Sequence, residues 1–539
     1  MRRRRKEVPN TAQRELGMGV LESPGAKSEP QGGQPRFTDD SAGHLFIGAE
    51  RLDQYLNSRG MNWVVRLRTE LERLDYSLLE ASYQRTGRNP FHPRTMLGLI
   101  VYGILNGQWS LRALEDLAVR DVGAWWMCGG QQPDHSTIGD FINRHSKILT
   151  HEFVLSLVRD LVRRKRLQPG VVAGDGTVIE AAASHYHKLK REAAQAAADK
   201  AQQKAEAAPG SEQALALADK AQRAAQVAAE RTERRQRKGK PTDSVVVSAR
   251  EPEAVLQPRK DGAKRFAYKP STLVHESGLI VAQAVHASSE TAVVDQLMDQ
   301  HIDAFGTTPS SALLDAAYCQ PALLKDMVDR NVNVLCPSGK TNQGDDWEKK
   351  GHRGLFSKAQ FEYDEKSNVY LCPAGAELRQ IEQSRDGEGR LYRAYTTKAC
   401  AGCELRPQCT TSVTGRKIKR YEGEEFKEAM AEVLRDPRAR ADYRRRAPIG
   451  ERPFAEFRER QALRRFHRFG LAGVSVEFAL HVIAFDLKWA IRRSADAPCA
   501  ATAVMILLWA RSGHQERSWR LVAVVTGIST QFPDSDPPR

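Results

Sequence analysis

Two short apolar segments, each followed at once by an aspartate, most constrain how this chain can fold. Val171–Ala173 is followed by Gly174-Asp175-Gly176, and residues 311–314 are followed by Asp315. Strand-like and helix-like patterns alternate around them, with a hairpin at residues 276–278, so we predict an α/β fold with a mixed sheet. Ligand sites of open α/β sheets lie beyond the carboxyl ends of strands, which makes both aspartates candidate site residues. Taken alone, Asp175 is explained equally well by an ordinary Asp-Gly turn.

The charge balance favours a polyanionic partner. The 539 residues include 82 Lys and Arg and 67 Asp and Glu, an excess of 82 − 67 = 15 positive charges. Charge alone does not distinguish nucleic acid from an anionic membrane. The basic N-terminus is not followed by the apolar core of a signal peptide, and the longest apolar run, 497–510, is shorter than the roughly 20 residues that span a bilayer. We therefore expect a cytoplasmic protein of about three to four domains at ~150 residues each.

Helical patterns dominate residues 50–165. Pro93 and Ser110 begin two of the predicted helices, and the segment after Asp134 offers a third start. Short helices with tight connections are typical of DNA-binding modules, but ordinary helical bundles have the same pattern. His92 and His135 are interpreted as structural residues.

Four cysteines in the second half of the chain form a candidate metal site. Cys400, Cys403 and Cys409 are closely spaced, and Cys372 lies upstream on a predicted strand. Such a set suits a tetrahedral structural Zn²⁺, although the spacing to Cys409 departs from a regular pair of CxxC motifs. The alternative is a group of reduced, partly buried thiols. The remaining cysteines are predicted to be isolated core or loop thiols: Cys128, Cys319, Cys336 and Cys499.

A third acidic residue, Glu451, is a candidate site residue alongside the two strand-end aspartates only because of a family resemblance. The segments GDGTVIEA (174–181), LLDAAYC (313–319) and YRRRAPIGERPFAEFR (443–458) resemble bacterial insertion-sequence transposases of the DDE class. The resemblance is to the branch with a Cys-rich insertion before the catalytic glutamate. The N-terminal segments FHPRTMLGLIVYG, WSLRALEDLAVRD and PDHSTIGDF are similar to the N-terminal domain of that family. The resemblance covers roughly residues 45–490, apart from a helical insertion.

The resemblance implies an RNase H-like catalytic domain, with a mixed sheet and flanking helices. Its expected reaction is metal-dependent cleavage of double-stranded DNA at terminal inverted repeats, followed by attack of a 3′-hydroxyl on target DNA. Asp175, Asp315 and Glu451 would hold two Mg²⁺ ions, with Mn²⁺ as a substitute, because hard cations prefer carboxylate oxygens. Residues expected to contact DNA are Tyr443, Arg446 and Arg458. A homodimer in the synaptic complex and association with the bacterial nucleoid are also implied.

Composition and resemblance together predict how the chain is divided. The low-complexity insertion is predicted to be an antiparallel helical hairpin or a pair of mobile helices. It carries an apolar stripe on one helix face, at Leu217, Ala221, Ala224 and Ala228. The predicted segments are a disordered basic tail (1–44), a helical N-terminal DNA-binding domain (45–165), a catalytic domain in two parts (166–340 and 436–492), the inserted helical hairpin (188–240), a Cys-rich insertion subdomain (341–435) and a C-terminal tail without an assignable pattern (493–539).

Departures from the family pattern keep a second function open, a transposase-derived DNA-binding protein without catalysis. The departures are Ala317, Arg458, Phe469 and Asp486, none of which removes a metal-binding carboxylate. An aspartyl-phosphate phosphatase is disfavoured because Thr177 stands where that class needs a second aspartate. The alternative for the basic residues near Glu451 is a solvated helix face. Because proline is tolerated only in a first turn, Pro453 predicts that a helix begins close to Glu451.

Overall fold

A computed structural model describes residues 35–84, 89–184, 186–258, 262–337, 354–386 and 389–495. Most of the predicted basic tail, part of the predicted Cys-rich subdomain, Cys499 and the predicted C-terminal tail from residue 496 lie outside these ranges.

The N-terminal part consists of a two-stranded ribbon and packed helices. Its elements are β1 (Phe46–Ile47), β2 (Glu50–Arg51), α1 (Leu52–Ser58), α2 (Asn62–Glu72), α3 (Ser77–Glu80), α4 (Pro93–Leu105), α5 (Leu111–Arg120), α6 (Val122–Cys128), α7 (His135–Arg144), α8 (Ser146–Thr150) and α9 (Glu152–Lys165).

The predicted helix starts are confirmed by their capping interactions. Pro93 occupies the first turn of α4. The Ser110 hydroxyl accepts a hydrogen bond from the Ala113 N–H at 3.3 Å, and Asp134 Oδ1 accepts one from the Thr137 N–H at 2.7 Å. Each cap satisfies a backbone donor that has no partner within its own helix.

The two histidines of this region have structural partners. His92 Nδ1 accepts a hydrogen bond from the Arg94 N–H at 3.0 Å. His135 Nδ1 lies 2.7 Å from Glu115 Oε2. His92 therefore caps the first turn of its own helix α4, and His135 links α7 to α5.

The central part is built on a mixed sheet. Its elements are β3 (Val171–Gly176), β4 (Ile179–Glu180), β5 (Lys188–Leu189), α10 (Arg191–Ala207), α11 (Glu212–Arg237), β6 (Val247–Ser248), β7 (Val255–Pro258), β8 (Lys264–His275), β9 (Ile280–His286), a 3₁₀ turn (Thr291–Val293), α12 (Val294–Phe305), β10 (Ser311–Leu313), a second 3₁₀ turn (Ala316–Tyr318), α13 (Pro321–Asp329) and β11 (Val334–Leu335).

The strand pairing confirms the predicted mixed sheet. Strand β3 pairs in parallel with β10, which pairs in parallel with β11. On its other side β3 pairs antiparallel with β8, and β8 forms the predicted hairpin with β9 across residues 276–278. The short strands β4 and β7 also pair with β8. Strand β3 therefore lies inside the sheet, with the carboxyl ends of β3, β10 and β11 along one edge.

The insertion between β5 and β6 is a pair of helices, α10 and α11, that pack against each other through small side chains. Ala224 and Ala228 of the predicted stripe are buried, but Leu217 is 65% exposed, so that part of the stripe prediction is wrong. Near the connection between the helices, the buried position is taken by Ala218 instead. The buried face of α11 is thus shifted by one residue, from Leu217 to Ala218, near the connection to α10.

The following region contains an antiparallel five-stranded sheet with its own small core. Its elements are a 3₁₀ turn (Lys358–Gln360), β12 (Glu362–Asp364), β13 (Val369–Leu371), β14 (Glu377–Arg385), β15 (Leu391–Thr396), a 3₁₀ turn (Lys398–Gly402), α14 (Arg406–Cys409) and β16 (Ile418–Tyr421). The last helices are α15 (Glu424–Val433), α16 (Pro437–Arg444), α17 (Arg446–Glu459) and α18 (Gly470–Ala495).

Helix α18 joins the N-terminal helices to the central sheet. It contacts α2, α4, α8 and α9 on one side and β9 on the other. By length and composition, residues 470–493 could cross a membrane, but 72% of the most apolar window is buried inside the protein. The apolar character of α18 is therefore explained by its place in the core.

Candidate active site

The first candidate residue, Asp175, lies near the end of β3 between two glycines. A Cβ atom on Gly174 would come within 2.6 Å of Leu314 Cδ2, so a side chain there would displace the Leu314 side chain. Asp175 Oδ1 accepts a hydrogen bond from the Gly176 N–H at 3.0 Å. The Asp175 side chain is 18% exposed, which leaves its carboxylate accessible at the sheet edge.

Asp315 lies beside Asp175 because the two strands run in parallel register. Leu313 pairs with Ala173, so continuing each strand by two residues brings Asp315 level with Asp175. Asp315 Oδ1 accepts a hydrogen bond from the Ala316 N–H at 2.7 Å and caps the 3₁₀ turn that follows. The turn directs the chain away from the edge immediately after the carboxylate.

Helix α17 brings Glu451 to the same edge, across 451 − 175 = 276 positions of sequence. The helix packs on β3 at Gly450, where a Cβ atom would lie 3.4 Å from the Asp175 Cβ. Arg446, the first residue of α17, reaches both carboxylates. Its Nη1 lies 3.6 Å from Asp175 Oδ1, and its Nη2 lies 3.4 Å from Glu451 Oε1. One guanidinium therefore joins Asp175 to Glu451, whose own side chain is 59% exposed.

Opposing electrostatic effects act on Asp175. Burial raises the pKa of its carboxyl group, the Arg446 charge and the Gly176 N–H lower it, and the carboxylates of Glu290 and Glu451 raise it further, with a net increase. Burial works against the charged form of Arg446, but Tyr443 and the surrounding carboxylates raise the pKa of its guanidinium overall. The edge is therefore rich in negative charge and already attracts one cation.

The other predicted DNA contacts, Tyr443 and Arg458, also lie at this edge. Tyr443 packs against the apolar end of the sheet, and burial raises the pKa of its hydroxyl, with the charges of Arg446 and Asp315 acting on it. Arg458 Nη2 donates a hydrogen bond to Thr177 Oγ1, one residue beyond β3. Arg446 and Arg458 therefore interact with the sheet edge, which a fully solvated helix face would not do.

The predicted start of this helix is wrong. Helix α17 begins at Arg446, and Pro453 lies inside it. Pro453 cannot donate a backbone hydrogen bond, so the helix is held instead by packing of the buried Phe454 and Phe457 and by the contact of Gly450 with β3. Pro448, in the first turn of the observed helix, was the proline that marked its start.

The donor atoms at this edge match a hard divalent cation, because Asp175, Asp315 and Glu451 offer carboxylate oxygens. The Arg446 guanidinium, between the first and the third of these residues, demonstrates that positive charge is accommodated there. Among the residues that the structure describes, no group of three or more His, Cys, Asp or Glu side chains is close enough to hold a metal ion. The oxygen ligands of Asp175, Asp315 and Glu451 thus suit a divalent cation in kind, although the three carboxylates are farther apart than the ligands of a bound metal ion.

The four cysteines of the predicted zinc site line one cleft in the Cys-rich region. Burial raises the pKa of the Cys409 thiol, and the thiols of Cys400, Cys372 and Cys403 act on it in the same direction. The Ala376 N–H donates to Cys372 Sγ at 3.3 Å. The four cysteine side chains thus line a common space. Their sulfur atoms are not close enough together to hold a metal ion, as is true of every such group among the described residues.

Two of the remaining cysteines are not isolated. Cys319 and Cys336 follow the carboxyl ends of neighbouring strands, and a hydrogen bond between their thiols lowers the pKa of the Cys319 thiol. Their proximity comes from the β10–β11 pairing, a long-range contact that spacing in the sequence did not reveal. Cys128 is buried in the helical core, as predicted.

Three further residues near Asp175 escaped the sequence analysis. Glu290 approaches Gly176 from the loop before α12, and Lys269 on β8 pairs with it at 3.0 Å. The buried Tyr318 lies within the electrostatic influence of Glu290 and Asp175, and burial raises the pKa of its hydroxyl. The only trace of this arrangement in the sequence is the glycine after Asp175.

A carboxylate-rich edge of a mixed sheet, packed against a helix that carries Arg446 and Glu451, defines an α/β protein with a candidate cation-binding site. The family model described as "Transposase domain (DUF772)" matches residues 55–144, and the one described as "Transposase DDE domain" matches residues 371–490. Together the two matches, each over part of the chain, indicate an insertion-sequence DDE transposase. No curated protein matches it.

The second match includes the helix that bears Arg446 and Glu451, whereas the strands that lead to Asp175 and Asp315 lie outside both matched ranges. The family implies a DNA substrate, indicates a DNA-cleaving enzyme and generally uses divalent metal ions. These coarser properties agree with the chemistry of the carboxylate edge.

Proposed function

We propose that this chain binds the ends of its own element and catalyses metal-dependent DNA strand cleavage and strand transfer. The observation that carries the proposal is that Arg446 joins Asp175 to Glu451 while Asp315 lies level with Asp175 on the adjacent strand. The mixed sheet with flanking helices supports an RNase H-like catalytic domain. Three acidic residues from distant parts of the sequence thus share one accessible edge.

In this proposal Asp175, Asp315 and Glu451 are the catalytic carboxylates and hold two Mg²⁺ ions, for which Mn²⁺ can substitute. Bound in pairs, such ions stabilise the attacking and leaving oxygens of a phosphoryl displacement. The protein supplies the negative charge that binds them and fixes its position through the rigid β3 and β10 strands. Asp175 and Asp315 are both oriented by backbone N–H groups, which keeps their carboxylates aligned.

Tyr443, Arg446 and Arg458 would hold the DNA beside these carboxylates. An arginine can bind a phosphate through two parallel hydrogen bonds, and both guanidiniums are already oriented by contacts with the sheet edge. Tyr443, on the helix before α17, would position the backbone or a flanking base. The helical region 45–165 would bind the terminal inverted repeats, and joining two ends calls for at least a homodimer in the bacterial cytoplasm.

The test is nicking of a DNA duplex that carries the element's own terminal repeats, with Mg²⁺ or Mn²⁺. Asp175→Asn and Asp315→Asn should reduce nicking by at least about 100-fold, because each removes a charge that has no substitute at the site. The exposed Asp329→Asn, which breaks only a surface pair with Lys325, is the matched control and should retain activity.

Nicking that persists in both active-site variants would refute the proposed site. Tight binding of terminal repeats without cleavage under either metal would favour the other candidate, a DNA-binding protein that has lost catalysis. The two functions therefore give different results with the same DNA and the same preparation of protein.

We also propose that Cys372, Cys400, Cys403 and Cys409 hold a structural Zn²⁺. Their convergence on one cleft supports this, as does the N–H directed at Cys372 Sγ, which stabilises a thiolate. Metal analysis should find about one zinc per chain, lost in Cys403→Ser but retained in Cys128→Ser, which alters a cysteine of the helical core. Purified protein without stoichiometric zinc would refute this assignment.

A further inference from the structure

Glu290 comes close to the backbone next to Asp175. A Cβ atom on Gly176 would lie 2.8 Å from Glu290 Oε2 and 3.0 Å from Glu290 Cβ. Any side chain at Gly176 would therefore displace Glu290. The need to make room for the Glu290 carboxylate explains the glycine after Asp175.

Glu290 is held in place from the opposite side by Lys269. Lys269 Nζ lies 3.0 Å from Glu290 Oε1, with side-chain exposures of 20% for Lys269 and 12% for Glu290. Lys269 binds Oε1 of Glu290, whereas Oε2 is the Glu290 oxygen that lies nearest to the position of a Gly176 Cβ atom. The carboxylate is thus fixed in orientation and presents one oxygen toward the chain at Asp175.

Two buried hydroxyl groups adjoin Glu290 and Asp175. Ser271, opposite Gly176 in the β3–β8 pairing, has its Oγ 2.9 Å from the position of a Gly176 Cβ atom. Tyr318 is buried, with Glu290 and Asp175 acting on its hydroxyl. Within the described ranges neither hydroxyl has a hydrogen-bond partner. Because buried polar groups normally have hydrogen-bond partners, these two hydroxyls are available to a polar ligand beside Glu290.

We infer that Glu290 is a positioning residue of the catalytic centre, a fourth carboxylate that increases the affinity of Asp175 for a divalent cation. The inference rests on the proposed function. Its physical basis is that a fixed negative charge close to a cation-binding carboxylate attracts the cation in a partly buried site, where screening is weak. Lys269 keeps Glu290 oriented without belonging to the catalytic carboxylates.

The experiment measures Mn²⁺ binding to the full-length, DNA-free protein by electron paramagnetic resonance. Glu290→Gln should weaken binding about fivefold to tenfold, the effect of losing one nearby charge. Glu424→Gln is the matched control, because its pair with Lys358 has nearly the same exposures, 13% and 20%, in another part of the chain. The control should bind Mn²⁺ within about twofold of wild type.

A second variant, Lys269→Gln, separates an electrostatic role from a purely structural one. It breaks the same ion pair but leaves the Glu290 charge without its positive partner, so Mn²⁺ binding should become tighter. Unchanged binding in Glu290→Gln would overturn the inference, as would weaker binding in Lys269→Gln. Should Glu290→Gln fail to fold, tighter Mn²⁺ binding in Lys269→Gln supports the inference, and unchanged or weaker binding overturns it.

Asp175→Asn distinguishes this inference from the proposed function. Loss of Mn²⁺ binding in Asp175→Asn with normal binding in Glu290→Gln would leave the proposed site intact and refute the role of Glu290. Absence of Mn²⁺ binding to the wild-type protein would refute both.

Discussion

At the scale of single residues, buried polar groups show how this chain tolerates departures from its family pattern. Asp486, one of the departures from the family pattern that the resemblance implies, is fully buried in α18. Its Oδ1 accepts a hydrogen bond from the Ile280 N–H at 3.0 Å, a role that an asparagine carbonyl could also perform. Burial raises the pKa of Asp486 well above its usual value, which favours its neutral, asparagine-like form.

Asp486 makes stability depend on pH in a defined direction. Above the unfolded pKa of about 3.9 the unfolded chain loses the Asp486 proton while the folded chain keeps it, so the free energy of unfolding falls as pH rises. Asp486→Asn removes this dependence. The stability of the variant relative to wild type should therefore increase by up to about 1.4 kcal/mol per pH unit from pH 4 upward, measured by urea unfolding. A difference that does not change with pH would contradict this interpretation.

At the scale of elements, the contact between helix α17 and strand β3 determines where Glu451 lies. The contact is made at Gly450. A Cβ atom added to this glycine would lie 3.4 Å from Asp175 Cβ and 3.5 Å from Ala173 Cβ. A methyl group fits at such distances, whereas a longer side chain would separate the helix from the strand. The position therefore has room for alanine but not for a longer side chain.

Substitutions at Gly450 should therefore separate catalysis from folding. Gly450→Ala should retain nicking activity and gain up to about 1 kcal/mol in stability from helix propensity. Gly450→Leu should lower nicking roughly 10- to 100-fold, because displacement of the helix moves Glu451 and Arg446 away from Asp175. Nicking assays and thermal unfolding would be measured on both variants. Wild-type activity in Gly450→Leu would show that α17 does not need to pack this closely.

Features set by short-range chemistry were predictable from the sequence. The helix starts at Ser110 and Asp134 follow from caps within three residues, and the β8–β9 hairpin follows from its turn. The contact of Glu290 with Gly176 spans 290 − 176 = 114 positions and depends on how a loop packs against a strand. No local pattern contains that information. The start of α17 was mispredicted because tertiary packing overrides the local effect of Pro453.

At the scale of the whole molecule, one hydrophobic core extends from the N-terminal helices to the sheet. Helix α18 lies between the N-terminal helices and the sheet, so regions that the sequence suggested as separate domains share one hydrophobic core. The position of the carboxylate edge therefore depends on contacts from both ends of the described chain. The resemblance to a family supplied the candidate site residues, but it did not indicate this continuity of the core.

The burial of α18 has a consequence for how the protein is made. The ribosome completes the N-terminal helices, which end at Lys165, long before it reaches Gly470, an interval of 470 − 165 = 305 positions. Until α18 emerges, the apolar surfaces of α2 and α4 that it covers have no native partner. Contacts this distant in sequence form slowly, and exposed apolar surface invites aggregation. A truncated product that ends before α18 should therefore be removed by chaperones and proteases, which ties the amount of active protein in a cell to completion of synthesis.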